Sequence, residues 1–196
     1  TILVTAGGTQ ESIDPVRYIG NRSSGKMGYA IAEQAARMGA KVILVSAPTS
    51  LPIPSGVDFI SVDSAVSMQE AVEARYNDVN VVIMAAAVSD FRVLHKAEQK
   101  IKKMESMTIE LVKNPDILQG LGSKKNHQIL VGFAAETEHV IKYGQDKVAR
   151  KNLDMLVAND VSKSNAGFNV DTNEGYFLYP DKEPKEMPNM KKSDFV

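Results

Sequence analysis

The sequence predicts an α/β fold, a mostly parallel sheet flanked by helices, on three observations. Short β-branched runs alternate with helical patterns along the chain, as expected for strands joined by crossover helices. Runs such as VVIMAA are apolar without alternation, which suits strands covered on both faces. Between the first two strands, Met27, Ile31, Ala35 and Met38 fall on one helical stripe. With 196 residues and 43% hydrophobic content, the chain is long enough to bury a core, and residues 1–196 read as one domain.

The strands expected from these runs are Ile2–Ala6, Lys41–Ser46, Asp58–Val62, Val81–Ala86, Ile129–Ala134 and Met155–Ala158. The first helix should run from about Ser24 to Met38, with Ser23 or Ser24 capping its start and Gly39 ending it. Further helices read at Ser64–Tyr76, Pro115–Leu121 and Thr137–Lys151. Two regions break the rhythm. SDFRVLHKAEQKIKKMESM, from Ser89 to Met107, is charged and poor in apolar periodicity, and a loop of that length in a compact domain is functional or mobile. Beyond Ala158, NDVSKSNAGFN reads as loop and GYFLYP as a strand, while the Pro/Lys-rich remainder has no clear pattern.

Composition narrows the function classes. A formal net charge of −1 gives no bulk attraction to nucleic acid or anionic membrane, so neither is an expected partner. No apolar run approaches the roughly 18 residues of a membrane span, and no signal peptide is expected. The absence of cysteine excludes disulfides, thiolate catalysis and Cys-ligated zinc, and fits a cytoplasmic location. His95, His127 and His139 lack metal-ligand spacing. Thr1 stands almost directly on a strand, so the chain reads as a domain cut from a longer one.

The residues suited to chemistry lie at strand ends and helix starts. GNRSSGKM, Gly20 to Met27, is one residue from a phosphate-binding P-loop, but Met27 stands where a magnesium-binding hydroxyl is required. The motif also begins fourteen residues after the first strand ends at Ala6. What survives is a small, polar lead into a helix N-terminus, where amides and the dipole favour an anion; an ordinary capped helix is the alternative. Gly7 and Gly8 allow close backbone approach at the carboxyl end of the sheet, or simply make a tight turn. In MAAAVSDFR, three alanines leave room above a strand end and Asp90 follows, placed to meet a ligand or metal; a crossing helix and a turn cap would use the same residues. KIKK, Lys100 to Lys103, is either solvated surface or a mobile cation that closes over polyphosphate. KNPDIL puts Pro115 at a helix start with Asn114 as N-cap, either an anion-binding N-terminus or merely a well-made helix start. Lys147 and Lys151 share a helix face, where they repel unless an anion or carboxylates relieve them. Glycines, amides, lysines and an aspartate on several βα loops together favour a phosphorylated ligand.

TAGGTQESIDPVRYIGNRSSGKMG, AAAVSDFR, KIKK, KNPDIL, GFAAET and DKVARKNLDMLVAND, in that order, closely resemble bacterial phosphopantothenate–cysteine ligase, also called phosphopantothenoylcysteine synthetase. The resemblance runs from about Leu3 to Tyr179. That enzyme acts in coenzyme A biosynthesis, often as the C-terminal half of a fusion with a flavin-dependent decarboxylase. The resemblance implies a Rossmann-like homodimer that couples 4′-phosphopantothenate to cysteine with CTP and magnesium, through an acyl-cytidylate, releasing pyrophosphate and then CMP. It further implies a nucleotide site of Met84, Ala85, Ala86, Asp90, Lys100, Pro115, Asp116, Ile117, Leu118, Phe133, Lys147 and Lys151. Asn21 corresponds to the family's catalytic asparagine, and Lys100 to the loop lysine that clamps the phosphates. The metal ligands are not implied. The family continues into a further C-terminal helix, whereas this chain stops at Val196, so its C-terminal end reads as truncated.

An NAD(P)-dependent Rossmann-type reductase is the alternative, because TAGGT resembles the glycine turn of short-chain dehydrogenases. Tyr143 and Lys147 have the Tyr-x-x-x-Lys spacing of that catalytic pair, but the upstream glycine pattern fails.

Overall fold

A computed structural model describes residues 1–161 and 171–196. In chain order the elements are β1 (Ile2–Ala6), β2 (Glu11–Ser12), β3 (Tyr18–Ile19), α1 (Lys26–Arg37), β4 (Val42–Ser46), β5 (Val57–Ser61) and α2 (Ala65–Glu73). There follow β6 (Val81–Met84), β7 (Phe91–Val93), β8 (Leu111–Lys113), α3 (Ile117–Ser123), β9 (Ile129–Glu136) and α4 (Val140–Arg150). The chain closes with β10 (Met155–Asp160), β11 (Thr172–Leu178), β12 (Lys185–Lys191) and α5 (Lys192–Phe195).

The predicted α/β sheet is present. Eight strands order as β12-β11-β10-β9-β6-β1-β4-β5. The pairs from β5 through β10 are parallel, and β11 and β12 add antiparallel strands at one edge. Connections leave β1 in one direction and β6 in the other, which makes the gap between their carboxyl ends a topological switch point. Val4, Val42 and Leu44 pack under Tyr29, Ile31 and Ala32 of α1. On the opposite face, Leu3, Ile43, Val82 and Leu130 pack against Met68, Val72, Ile117, Leu121 and Val148 of α2, α3 and α4. Alternate residues of β1 thus serve two cores, as apolar runs without alternation require.

Local chemistry sets the ends. Ser64 caps α2 by accepting from the Ser67 amide (3.1 Å), and Ser67 Oγ accepts from the Ser64 amide (3.0 Å). Gly39, at φ 90°, ends α1 as expected. The α1 start differs from expectation in position: Gly25, in the left-handed region at φ 78°, is the N-cap, while Ser24 Oγ, one residue earlier, accepts from the amide of Lys26, the first helical residue (3.4 Å). Ser23 Oγ accepts from the Gly25 amide (3.3 Å).

Three features were not foreseen. The Ser89–Met107 stretch is not loop throughout, because β7 pairs antiparallel with β8. The Pro/Lys-rich remainder forms the edge strand β12, where Pro188 falls in an irregularity between the Met187 and Met190 pairings and interrupts no regular ladder. The GYFLYP strand is present but starts earlier, at Thr172. Most of the loop expected after Ala158 lies outside the described residues.

Gly28 lets α1 lie close on β1. A Cβ there would stand 2.5 Å from the Ala6 Cβ and 2.8 Å from the Thr5 carbonyl oxygen, groups that cannot swing away. Gly28→Ala should therefore melt below the parent in a thermal scan. Overpacking costs about 1–3 kcal/mol, outweighing the roughly 1 kcal/mol of helix propensity gained.

Candidate active site

The parallel pairing of β1 and β6 continues past the strand ends through a bridge between Gly8 and Ala87. The Ala87 amide donates to the Gly7 carbonyl (2.9 Å), and the Ala87 carbonyl accepts from the Thr9 amide (3.1 Å). Gly7 has φ 81°, and a Cβ there would stand 2.8 Å from the Ala47 carbonyl oxygen, so only glycine fits this turn. The Ala87 carbonyl also accepts from Asn21 Nδ2 (2.8 Å), while Asn21 Oδ1 accepts from the Ser23 amide (3.0 Å). Asn21 is thereby held at both ends of its amide on an exposed rim.

Two clefts meet at this rim. One lies between the start of α1 and the ends of β6 and β9, lined by Ser23, Ser24, Lys26, Ala85, Ala86, Ala87 and Phe133. Asn173 of β11 and Lys192 at the start of α5 close it from the C-terminal side. Lys26 pairs with Asp171 (2.5 Å), and its ammonium holds the Asp171 carboxyl below the usual carboxylate range. Burial, and then the nearby Lys26 charge, pushes the Lys192 ammonium down from its ordinary value. No sequence signal marked Lys192 or Asn173, which approach the rim only through the β10–β12 pairings.

The second cleft is lined by Met84, Ala86, Asp90, Pro115, Asp116, Ile117, Leu118 and Lys151, all expected in the nucleotide site. Ala86 belongs to both clefts. Asn114 is not the α3 cap. It is buried, its amide group donating to the Ser89 carbonyl (2.8 Å) and to Glu11 Oε1 (3.4 Å), with Oδ1 accepting from Arg92 (3.2 Å). The cap is Asp116, which accepts from the Gln119 amide (3.0 Å) and pairs with Lys151 (2.9 Å). The carboxylate at this helix start is thus the protein's own, not that of a ligand.

The remaining predicted residues stand apart. Ala85 and Phe133 face the first cleft. Lys147, half-buried, pairs with Glu136 (2.5 Å), so the expected repulsion with Lys151 is relieved by a separate carboxylate for each lysine. Lys100 lines a third hollow with Arg17, Lys102, Lys103, Met104 and Met107. Asn21, Asp90, Lys100 and Lys147 therefore do not share one cleft within this chain. Among the described residues, no cluster of three or more His, Asp or Glu side chains is gathered for a metal.

Burial raises the Asp116 pKa, but the Gln119 amide and the Lys151 ammonium outweigh it and the net shift is downward. Stability from a lowered carboxyl is present above the unfolded-state value of about 3.9 and is lost as pH falls through the folded-state value. Asp116→Asn should therefore lower the melting temperature at pH 7, with the gap to the parent closing as melts are repeated toward pH 3.

The family model described as "DNA/pantothenate metabolism flavoprotein C-terminal domain" matches residues 1–196. The chain is 50% identical over 195 residues to the coenzyme A biosynthesis bifunctional protein CoaBC of Bacillus subtilis, covering 98% of this chain and 48% of that protein. The Escherichia coli CoaBC is 50% identical over 185 residues, covering 92% of this chain and 46% of that protein. The chain thus spans about half the length of these relatives. A crystal structure of the C-terminal domain of CoaBC superposes with a TM-score of 0.84 at 45% identity, covering 99% of this chain and 90% of that one. The chain belongs to the DNA/pantothenate metabolism flavoprotein C-terminal domain family.

Proposed function

We propose that this chain ligates 4′-phosphopantothenate to cysteine at the expense of CTP, through an acyl-cytidylate, as a step of coenzyme A biosynthesis. The observation that carries the reading is the meeting of two clefts at Ala86, on the switch point between β1 and β6. A nucleotide laid across Ala86 would reach Ala85 and Phe133 on one side, and Met84, Asp90, Pro115 to Leu118 and Lys151 on the other. The alanines leave space for a flat base, and their backbone groups can read its edge. The similarity to CoaBC at 50% identity supports the same reading. In it the protein works as a cytoplasmic homodimer, its relatives being bifunctional proteins of twice the length.

The substrate carboxylate attacks the α-phosphate of CTP, forming the acyl–phosphate bond as pyrophosphate leaves. The cysteine amine then attacks the acyl carbon, CMP leaves, and the amine proton goes to solvent. Negative charge builds in the first step, which cations beside the phosphates offset. Lys100 supplies one such cation from its hollow, and Lys147 and Lys151 supply others from α4 once their carboxylates yield them. Magnesium, if carried on the triphosphate, would offset negative charge there. Asn21 neither titrates nor competes as a base; its amide orients an acyl or phosphoryl oxygen near Ala87. A mixed anhydride hydrolyses readily, so exclusion of water by the Ser89–Met107 segment would protect it.

The reductase alternative finds less support. Tyr143 is 41% exposed and packs edge-on against His139, while Lys147 is engaged by Glu136. Neither is among the residues lining the two clefts that meet at Ala86; both line a separate hollow with Glu136 and Arg150.

Incubation with CTP, 4′-phosphopantothenate, cysteine and magnesium should release CMP and pyrophosphate; NADPH oxidation without CMP would replace the ligase reading with the reductase. Asn21→Asp is expected to bind CTP nearly as the parent does but to accumulate acyl-cytidylate, seen by chromatography of quenched reactions. Normal product formation in that variant removes Asn21 from the chemistry. Lys100→Gln should lose on the order of 100-fold in kcat with an unchanged melting temperature, and equal losses of both would mark a structural lysine.

A further inference from the structure

Asp14 is a buried carboxylate, 1% exposed, in the turn between β2 and β3. Its Oδ1 accepts from the amides of Val16 (2.9 Å) and Arg17 (2.8 Å). Its Oδ2 accepts from Arg17 Nε (3.0 Å) and Nη2 (2.5 Å), and from the Ile101 amide (3.1 Å). Arg17 Nη2 then donates to the Ile101 carbonyl (2.9 Å). Both backbone groups of Ile101 are therefore gripped by one ion pair lying 84 and 87 positions earlier in the chain. Nearby, the Ala97 amide donates to the Ile13 carbonyl (2.9 Å). The segment after Leu94 is thus strapped to the β2–β3 turn at Ala97 and Ile101.

The strap falls between two residues of the proposed chemistry. Lys100 immediately precedes Ile101, and the strand leaving the turn reaches Asn21 four residues after Arg17. We propose that Asp14 is a positioning residue that, by fixing Ile101, sets where the neighbouring Lys100 projects for the first chemical step. The proposal rests on the ligase reading and on the role of Lys100 within it. Five donors on one carboxylate make a rigid anchor, because a buried charge satisfied this fully cannot turn without losing several bonds together. The Arg17 guanidinium, aided by three backbone amides against the cost of burial, holds the Asp14 carboxyl well below the usual carboxylate range, so the anchor stays charged throughout the neutral range. Asparagine at position 14 keeps the shape but puts an NH₂ donor against Arg17 or the Ile101 amide, which breaks the grip on Ile101.

The test is a double-mutant cycle on this chain, read as CMP release with CTP, 4′-phosphopantothenate, cysteine and magnesium, with circular dichroism to confirm folding. Asp14→Asn should lower kcat about 10- to 100-fold, as expected for a group displaced by about an ångström, with the KM for cysteine little changed. In the Lys100→Gln background the same substitution should cost almost nothing further, because the residue it positions is already gone. If the two losses multiply, or if folded Asp14→Asn turns over normally, the positioning role is wrong. If Lys100→Gln alone is fully active, the assignment of Lys100 fails, and that result is distinct from either of the others. Arg17→Lys keeps a cation beside Asp14 but loses the guanidinium fork that reaches the Ile101 carbonyl, without altering the Lys100 backbone. It should reproduce the loss and the non-additivity, and it decides the question should Asp14→Asn not fold.

Discussion

Everything at the proposed site hangs on the pairing of β1 with β6. Two parallel strands whose connections depart in opposite directions leave a crevice at their carboxyl ends, and here the crevice is stitched at its base by the Gly8–Ala87 bridge. The Ala87 carbonyl accepts from both Thr9 and Asn21, so the backbone that closes the sheet also aims the candidate catalytic amide. Moving either strand by one residue would exchange the side chains presented to the two cores, since Leu3 and Val4 serve opposite ones, and would spoil the packing of both. Register in the interior thus fixes the rim.

Around that rim, polar side chains do work that apolar packing cannot. Glu11 accepts from the Ala65 amide at the start of α2 (2.9 Å) and from Asn114, and Asn114 reaches on to Ser89 and Arg92. Thr9 Oγ1 accepts from the Ser89 amide (2.9 Å). Each such bond nets only about 1 kcal/mol, yet an unmade one in a dry interior costs more, which favours a single arrangement of the loops. Among the described residues every fully buried side-chain nitrogen or oxygen has a partner. The loops that carry Asp90, Pro115 and Asn21 are therefore set by a shared network rather than by separate turns.

The sheet was legible because β-branched runs such as VVIMAA and KVILVS declare burial on both faces through composition alone. So were α1 and α4, whose apolar stripes repeat at the helical period, and the alanine-lined rim at Ala85 and Ala86. Caps were harder. Ser23 and Ser24 have the right chemistry, but the left-handed Gly25 takes the position, and Asn114 is pulled inward by Glu11 from a distant strand. The β7–β8 ribbon escaped notice because it is three residues long on each side and carries Arg92 and Lys113, which suits a ribbon lying outside the main sheet. Edge strand β12 hid behind its lysines and Pro188, residues that an edge tolerates and a central strand does not. The Asp14–Ile101 contact spans 87 positions, and nothing in local composition announces a bond of that range.

Gly8 has a different reason for being glycine than its neighbour. Its φ is not in the left-handed region, but a Cβ there would sit 2.3 Å from Asn21 Oδ1. The missing side chain is therefore space lent to another residue's amide. A methyl group at position 8 would leave the sheet paired but push the Asn21 amide off the Ala87 carbonyl, so the shape of the rim is set by an atom that is absent.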